Sequence, residues 1–406
     1  MRILHSSDWH LGVTLHGASR QEEQARFLEW LAALLTVREV DALVIAGDVF
    51  DQYQPSAEAQ ALFYGFLARL AASDWPRHVI VVGGNHDSAA RLEAPREVLG
   101  ALRVTVVGGY ERGREPDLPC VVRHGSEILG VVLPVPFVHE HRLGVRAIGL
   151  EAGALATQIA EAFTGLYARL AERAAREWPG VPLVATGHLT AGRWEEGDFH
   201  TPLHQAGGLD ALPDGVFDAR YDYVALGHIH RSYRVGGTRA WYSGTPVAVG
   251  VKEASSPRLV LLVEVSPGGG PEVEPIEVPC ARRILPLDGP LDEVIERWRR
   301  LEWTAGELPP YVLATLRTDV PLLNPGQTLI DARPGAEGGP RLVHVEQRRA
   351  SAPRVEAGAT IGPPPLRDLT PWQVFELMHQ RAHEGHAPDD ALHAAFHSLL
   401  APGGEA

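Results

Sequence analysis

The chain of 406 residues is poor in thiols and in long apolar runs. Its two cysteines, Cys120 and Cys280, have no CxxC partner, so a disulfide framework or a thiolate metal site is not expected, and both are predicted to be packed core thiols. No apolar run approaches the length of a membrane span, and Met1-Arg2 leads into a predicted strand rather than a signal peptide. These absences predict a soluble cytoplasmic protein with no membrane segment.

Positive charge is also scarce, because the formal net charge is −14 and Lys252 is the only lysine. Contacts to nucleic-acid phosphates need Lys or Arg, so this balance argues at first against DNA binding. Net charge does not describe local patches, however, and bound cations would neutralise some of the acidic groups. The abundant arginine suits phosphate recognition but is equally explained by a GC-rich genome, so no single arginine is predicted to contact DNA.

Five short polar fragments each follow an apolar run, and the runs before the last four are rich in β-branched or small residues. The fragments are Asp8-Trp9-His10, Gly47-Asp48, Gly84-Asn85-His86-Asp87, Gly187-His188 and Gly227-His228-Ile229-His230. Such runs, ended by glycine, are typical of buried strands. The polar residues then lie at the carboxyl ends of strands, where loops from distant parts of an α/β chain converge on one site.

The residue types in these fragments fit a site for two cations bridged by a carboxylate. Asp8 and His10, two positions apart, point to the same side and can hold one ion together with His230. Asp48 follows a glycine in a sharp turn and is the natural bridge. The second ion would be held by Asn85, His188 and His228. Mixed imidazole and carboxylate donors suit manganese, iron or zinc and disfavour calcium.

This ordered set of fragments resembles the calcineurin-like metallophosphoesterases, which have a two-layer β-sandwich flanked by helices. Longer segments resemble the SbcD/Mre11 nucleases, and within them the bacterial SbcD branch. These segments are 1–12 (MRILHSSDWHLG), 40–51 (VDALVIAGDVFD), 84–88 (GNHDS), 207–213 (GGLDALP), 221–231 (YDYVALGHIHR) and 241–246 (WYSGTP). That family usually has Ser where Thr245 stands. The resemblance is specific over about the first 260 residues.

The resemblance implies two Mn²⁺ ions per chain, with Mg²⁺, Fe²⁺ or Zn²⁺ as alternatives. The implied ligands are Asp8, His10, Asp48, Asn85, His188, His228 and His230. His86 is not among the implied ligands; it would instead stabilise the transition state or protonate the leaving oxygen. Asp87 beside it would orient or charge its imidazole. The alternative for His86 is a residue that only positions Asn85.

The expected fold is an α/β protein with a two-layer β-sandwich core flanked by helices, a small α+β capping domain and a helical tail. The predicted boundaries are 1–270 for the nuclease domain, 280–350 for the cap, 351–368 for a Pro/Gly-rich linker and 369–406 for the tail. Core helices are predicted over 21–40, from Ser56 and over 153–178. The cap is predicted as strand, helix and two strands over 283–287, 291–301, 311–318 and 342–347. Tail helices are predicted from Pro371 and over 388–400.

By resemblance, the chain is expected to be a DNA nuclease, with 3'-5' exonuclease activity on double strands and endonuclease activity on single strands and hairpins. It would act in DNA repair, recombination and replication, near the nucleoid, as a homodimer within a heterotetramer. No Walker motif is present, so the ATPase would be a separate SbcC-type SMC-like chain that binds the tail. The alternatives are a phosphoesterase of small nucleotides or phosphoproteins, a non-catalytic scaffold, and a tail folded back on its own chain.

Overall fold

The computed structural model describes residues 1–113, 118–145, 152–192, 211–304, 306–333, 338–349, 371–382, 386–389, 392, 393 and 396. Met1–Ala350 form one compact unit and Ser351–Ala406 form a second. The predicted division of the first unit into a nuclease domain and a cap stays a prediction. Among the described residues, no helix is both long and apolar enough to cross a membrane.

Two six-stranded sheets form the centre of the first unit. Their strands are β1 (Arg2–Ser6), β4 (Ala42–Ala46), β5 (His78–Val82), β6 (Val104–Val107), β7 (Cys120–His124), β8 (Glu127–Leu133), β9 (Leu183–His188), β10 (Tyr223–Gly227), β11 (Tyr233–Arg234), β12 (Ala240–Tyr242), β13 (Leu259–Glu264) and β14 (Glu272–Glu277), while β2 (Thr14–Leu15) and β3 (Ala18–Ser19) form a small hairpin. The strand orders are β14-β13-β1-β4-β5-β6 and β11-β12-β10-β9-β8-β7. In the first sheet β1, β4, β5 and β6 are parallel, and in the second β8, β9, β10 and β12 are parallel.

The two sheets pack face to face through a cluster of small and β-branched side chains, including Val44, Val184 and Ala225. Helices cover the outer faces: α1 (Gln21–Val37), α2 (Ala57–Ala71), α3 (Ala89–Glu93), α4 (Arg96–Ala101) and α5 (Ala152–Glu177). The apolar stripe of α2 is buried against the first sheet, and that of α5 against the second. The predicted fold class, a β-sandwich flanked by helices, is confirmed.

Helix ends follow the expected local chemistry. The side chain of Ser56 accepts a hydrogen bond from the backbone N–H of Ala59 at 3.2 Å and so caps α2, as predicted. Helix α1 ends at Val37, before the predicted position 40. Of the two cysteines, Cys120 is buried as expected, but the prediction for Cys280 is wrong: this residue lies in the segment that follows β14 and is exposed.

The region predicted as a cap has three parallel strands and two helices. Its elements are β15 (Arg282–Gly289), α6 (Leu291–Arg299), β16 (Leu308–Arg317), α7 (Pro325–Asp331) and β17 (Arg341–Arg348). Helix α7 was not predicted, and the signal for it is Pro325 at the first helical position. The region rests on the core through Tyr311, whose hydroxyl donates to the carbonyl of Ser19 at 2.7 Å.

The second unit contains α8 (Pro371–Ala382), which begins at the predicted residue. Most of the second predicted tail helix lies outside the described residues. The rings of Phe375 and Phe396 lie 4.8 Å apart, and those of Trp372 and Phe396 lie 5.3 Å apart. The two segments of the tail therefore contact each other through aromatic side chains, while Met378 remains 67% exposed.

Candidate metal centre

All of the predicted ligands lie at the carboxyl ends of parallel strands. Asp8 and His10 follow β1, Asp48 follows β4, Asn85 follows β5, His188 ends β9, and His228 and His230 follow β10. Three of these strands belong to the first sheet and two to the second. The ends of both layers of the sandwich therefore contribute to one cluster.

Several of the predicted ligands have a backbone conformation that L-residues rarely adopt. The φ angles are 54° at Asp8, 44° at His10, 49° at Asp48 and 98° at His228. Each such residue costs about 1–3 kcal/mol, and this kind of strain concentrates at functional sites. Gly47 has a φ of 93°, and a Cβ built on it would lie 2.2 Å from Nδ1 of His188. Glycine precedes Asp48 because the imidazole of His188 occupies the space that a side chain would need.

One part of the cluster contains Asp8, His10 and His230, which offer ligand atoms within 4.8 Å of one another. Nε2 of His10 lies 3.1 Å from Nε2 of His230. Asp8 is held in place because its carboxylate accepts hydrogen bonds from the backbone N–H of His228 at 2.9 Å and from the hydroxyl of Ser7 at 2.5 Å. All three ligand side chains are buried.

The other part contains Asp48, Asn85, His188 and His228. Nε2 of His188 lies 3.0 Å from Oδ1 of Asn85 and 3.3 Å from Oδ2 of Asp48. Nδ1 of His228 lies 2.9 Å from the same Asn85 oxygen. Oδ2 of Asp48 is also 3.7 Å from Nε2 of His10, so this carboxylate lies between the two groups of ligands, where the predicted bridge would be.

The donor set fits a divalent cation. Nδ1 of His188 donates to the carbonyl of Ala46 at 2.9 Å, so in the neutral ring the lone pair of Nε2 faces the oxygens of Asn85 and Asp48. Three electron-pair donors that face one another are stabilised by a positive charge between them, either a proton on His188 or a divalent cation. Burial alone would lower the pKa of His188, but the carboxylates of Asp48 and Asp8 outweigh it and raise the pKa to about 9. Burial would raise the pKa of Asp48, and the surrounding imidazoles instead hold it well below its usual range.

His86 lies beside the cluster. Its backbone N–H donates to Oδ1 of Asp48 at 2.9 Å, and its Nδ1 donates to the backbone carbonyl of Asp51 at 2.8 Å. One of its ring nitrogens lies within 4.8 Å of ligand atoms of His10 and Asp48. The residue that orients this imidazole is therefore Asp51, which the sequence analysis did not single out.

The side chain of Asp87 makes different contacts from those predicted. Its carboxylate accepts hydrogen bonds from the backbone N–H groups of Val49 at 3.1 Å, Phe50 at 3.0 Å and Gly84 at 2.9 Å. It thus ties the loop that carries Asp48 to the loop that carries Asn85 and His86. The expectation that Asp87 orients the imidazole of His86 is corrected, because its oxygens bind backbone amides and the Nδ1 of His86 is bound to Asp51.

The segment 241–246 also contributes to the cluster. The hydroxyl of Ser243 lies 2.8 Å from that of Ser7, behind the carboxylate of Asp8. Thr245 replaces the usual serine of the resembled family but keeps the hydroxyl, which donates to the carbonyl of Val247 at 2.8 Å. Further along, Glu253 lies 2.8 Å from Nδ1 of His230. Glu253 was not predicted from the sequence, and no motif marks it.

Comparison with known proteins agrees with this geometry. Residues 1–232 match the calcineurin-like phosphoesterase family. The matched region contains every predicted ligand, and it defines the chain as a phosphoesterase of this class.

Three curated relatives narrow the class, and each is the SbcD subunit of an SbcCD nuclease. The chain is 37% identical over 336 residues to the SbcD protein of Rhodobacter capsulatus, covering 79% of this chain and 82% of that protein. It is 34% identical to the Escherichia coli K12 protein, covering 74% of each chain. It is 33% identical to the Bacillus subtilis 168 protein, covering 66% of this chain and 67% of that one. The chain therefore belongs to the SbcD family of calcineurin-like phosphoesterases.

Proposed function

We propose that this chain is the nuclease subunit of an SbcC–SbcD complex and hydrolyses DNA phosphodiesters at a site for two divalent cations. The observation that carries the proposal is the convergence of buried lone pairs from both sheets on one cluster, in a chain whose relatives are nuclease subunits. The proposed substrates are double-stranded ends, hairpins and single strands, and the proposed setting is DNA repair, recombination and replication in the cytoplasm.

We assign Asp8, His10 and His230 to one cation and Asn85, His188 and His228 to the other, with Asp48 shared. Mn²⁺ is the proposed metal, and imidazole, amide and carboxylate donors without thiolate support it. When bound, two such cations would activate water and offset the negative charge that develops on the phosphate. The short contacts of Asp48 to both groups of ligands support its place as the bridge.

His86 is the proposed acid. Because Nδ1–H is bound to the carbonyl of Asp51, the nitrogen left for the substrate is Nε2. A neutral ring with a proton on Nδ1 has a lone pair at Nε2, so the ring must carry both protons to donate one there. The doubly protonated imidazole would then protonate the leaving 3'-oxygen. Asp51 holds the ring in the orientation that this transfer needs.

The proposed partner is an SbcC-type SMC-like ATPase, with two copies of this chain in the assembly. The tail supports a partner role, because Met378 on α8 and Leu392 beyond it remain 67% and 40% exposed although neighbouring aromatic rings pack together. Exposed apolar side chains on an amphipathic helix favour binding to another surface.

The test is digestion of end-labelled linear, hairpin and circular DNA in Mn²⁺, with and without the ATPase and ATP. We expect cleavage of linear and hairpin DNA, stimulated by the partner. The same samples are assayed with bis-nitrophenyl phosphate, a small diester. Equal turnover of the small diester and duplex DNA with no partner effect would favour a small-substrate phosphoesterase, and absence of any DNA cleavage would contradict the nuclease function.

A further inference from the structure

Glu253 lies behind the imidazole of His230, on the side away from His10. Nδ1 of His230 donates to Oε1 of Glu253 at 2.8 Å, and the exposed fractions of the two side chains are only 5% and 10%. A proton held on Nδ1 leaves the lone pair of the ring at Nε2, which is the atom that faces His10 at 3.1 Å. The carboxylate therefore selects both the tautomer and the direction of the ring.

The second oxygen of Glu253 fixes the carboxylate itself. Oε2 accepts hydrogen bonds from the backbone N–H groups of Val249 at 2.6 Å and Gly250 at 3.3 Å. These bonds span a tight turn that leads into the short 3-10 helix Glu253–Ser255. Because both oxygens are engaged, the carboxylate cannot rotate without losing at least one of these hydrogen bonds.

The turn is also supported from outside. Ala248 and Ala254 pack against a cluster that includes Ile284 and Tyr311 from strands β15 and β16. The guanidinium of Arg20 donates to the carbonyl of Ala248 at 2.6 Å. A group that orients a metal ligand has to be held rigidly, and these contacts provide that support.

We propose that Glu253 is a positioning residue that orients His230 toward the first cation and strengthens its metal binding. This inference rests on the proposed metal site. A carboxylate behind a ligating imidazole fixes the ring and increases the basicity of the coordinating nitrogen, and loss of such a partner weakens metal binding by roughly 10- to 100-fold. For comparison, His188 has a neutral backbone carbonyl in the same position.

The experiment is calorimetric titration of the full chain with Mn²⁺. We expect Glu253→Ala to weaken one of the two binding events by roughly 10- to 100-fold and to leave the other unchanged. Glu253→Gln keeps an acceptor for His230 while removing the charge, so we expect a smaller loss; it also serves as the test if the alanine variant does not fold.

Asp222 offers a matched control. Its buried carboxylate also accepts two backbone hydrogen bonds, from Leu183 and Gly268 at 2.9 Å each, but it precedes β10 and lies at the opposite end of that strand from His228. Asp222→Asn should lower the free energy of unfolding without changing Mn²⁺ affinity. If Glu253 acts only as such a structural carboxylate, its variants will behave in the same way, and the inference is overturned.

A double-mutant cycle separates the remaining outcomes. In a His230→Ala background, we expect Glu253→Ala to cause no further loss of affinity, because the group through which it acts is gone. An equal loss in both backgrounds would contradict a role through His230. Wild-type protein that binds no Mn²⁺ at all would instead refute the proposed metal site, so failure of the two ideas can be distinguished.

Discussion

Replacement of Asp87 by Asn separates a structural role from a catalytic one. The carboxylate is 4% exposed and accepts hydrogen bonds from the backbone N–H groups of Val49, Phe50 and Gly84. Asn has nearly the same shape but only one acceptor oxygen and no charge. In the Oδ2 position that oxygen can still bind Val49 and Gly84, while the new NH₂ group faces the N–H of Phe50.

The magnitude follows from these contacts. A buried donor left without a partner costs about 1–3 kcal/mol, and hydrogen bonds lose strength when the acceptor is no longer charged. We therefore expect Asp87→Asn to lower the free energy of unfolding by about 2–4 kcal/mol. Asp87→Ala removes both acceptor oxygens, and with them all three hydrogen bonds, and should cost about 4–6 kcal/mol. Because the bonds join the two loops that carry Asp48 and Asn85, metal affinity should fall as well.

The assay is urea unfolding of the metal-free chain, followed by DNA cleavage at saturating Mn²⁺. Asp87→Asn should unfold at lower urea yet recover most of its cleavage rate when excess Mn²⁺ is supplied. His86→Asn is the matched control, with the opposite expected pattern of near-normal stability and lost cleavage. Wild-type stability combined with lost cleavage in Asp87→Asn would refute the structural assignment and return Asp87 to the catalytic role predicted from the sequence.

Two further predictions concern buried groups away from the ligands. Burial lowers the pKa of His5 to about 3, so the unfolded chain binds more protons than the folded chain, and the stability present above pH 6.5 is lost as the pH falls. Between pH 7 and pH 5, the free energy of unfolding measured in urea should fall by about 2 kcal/mol more in the wild type than in His5→Asn. Equal losses would contradict a buried neutral ring. Burial raises the pKa of Cys120 to about 11, and partial burial also raises the pKa of Cys280, but only Cys280 is exposed. Ellman's reagent should therefore titrate one thiol in the native chain and two in urea, and two reactive native thiols would be inconsistent with the packing of β7.

The clustering of the predicted ligands at strand ends was predictable because it depends on a local pattern. Each of the five fragments lies at the end of a strand, a glycine precedes the polar residue in four of them, and the carboxyl ends of parallel strands meet in space. The structure places Asp8, Asp48 and His188 within one cluster although 180 positions separate the first from the last. Glycine at position 47 also has a structural reason, since the imidazole of His188 fills the space that a Cβ would need.

The supporting residues were not predictable because their partners are distant in sequence. Asp87 was assigned to its neighbour His86, but its carboxylate binds amides 37 and 38 positions away. Glu253 lies 23 positions beyond His230, in a short 3-10 helix with no recognisable motif. Such features depend on how loops pack, which a single sequence does not encode locally.

The central claim is that two cations are held through Asp48 while His86 is kept for the chemistry. Its most direct test measures bound Mn²⁺ and cleavage of a labelled hairpin duplex on the same samples of wild type, Asp48→Ala and His86→Ala. We predict two ions per chain and cleavage in the wild type, two ions without cleavage in His86→Ala, and neither ion in Asp48→Ala. A full metal complement in Asp48→Ala, or loss of both ions in His86→Ala, would contradict this assignment of roles.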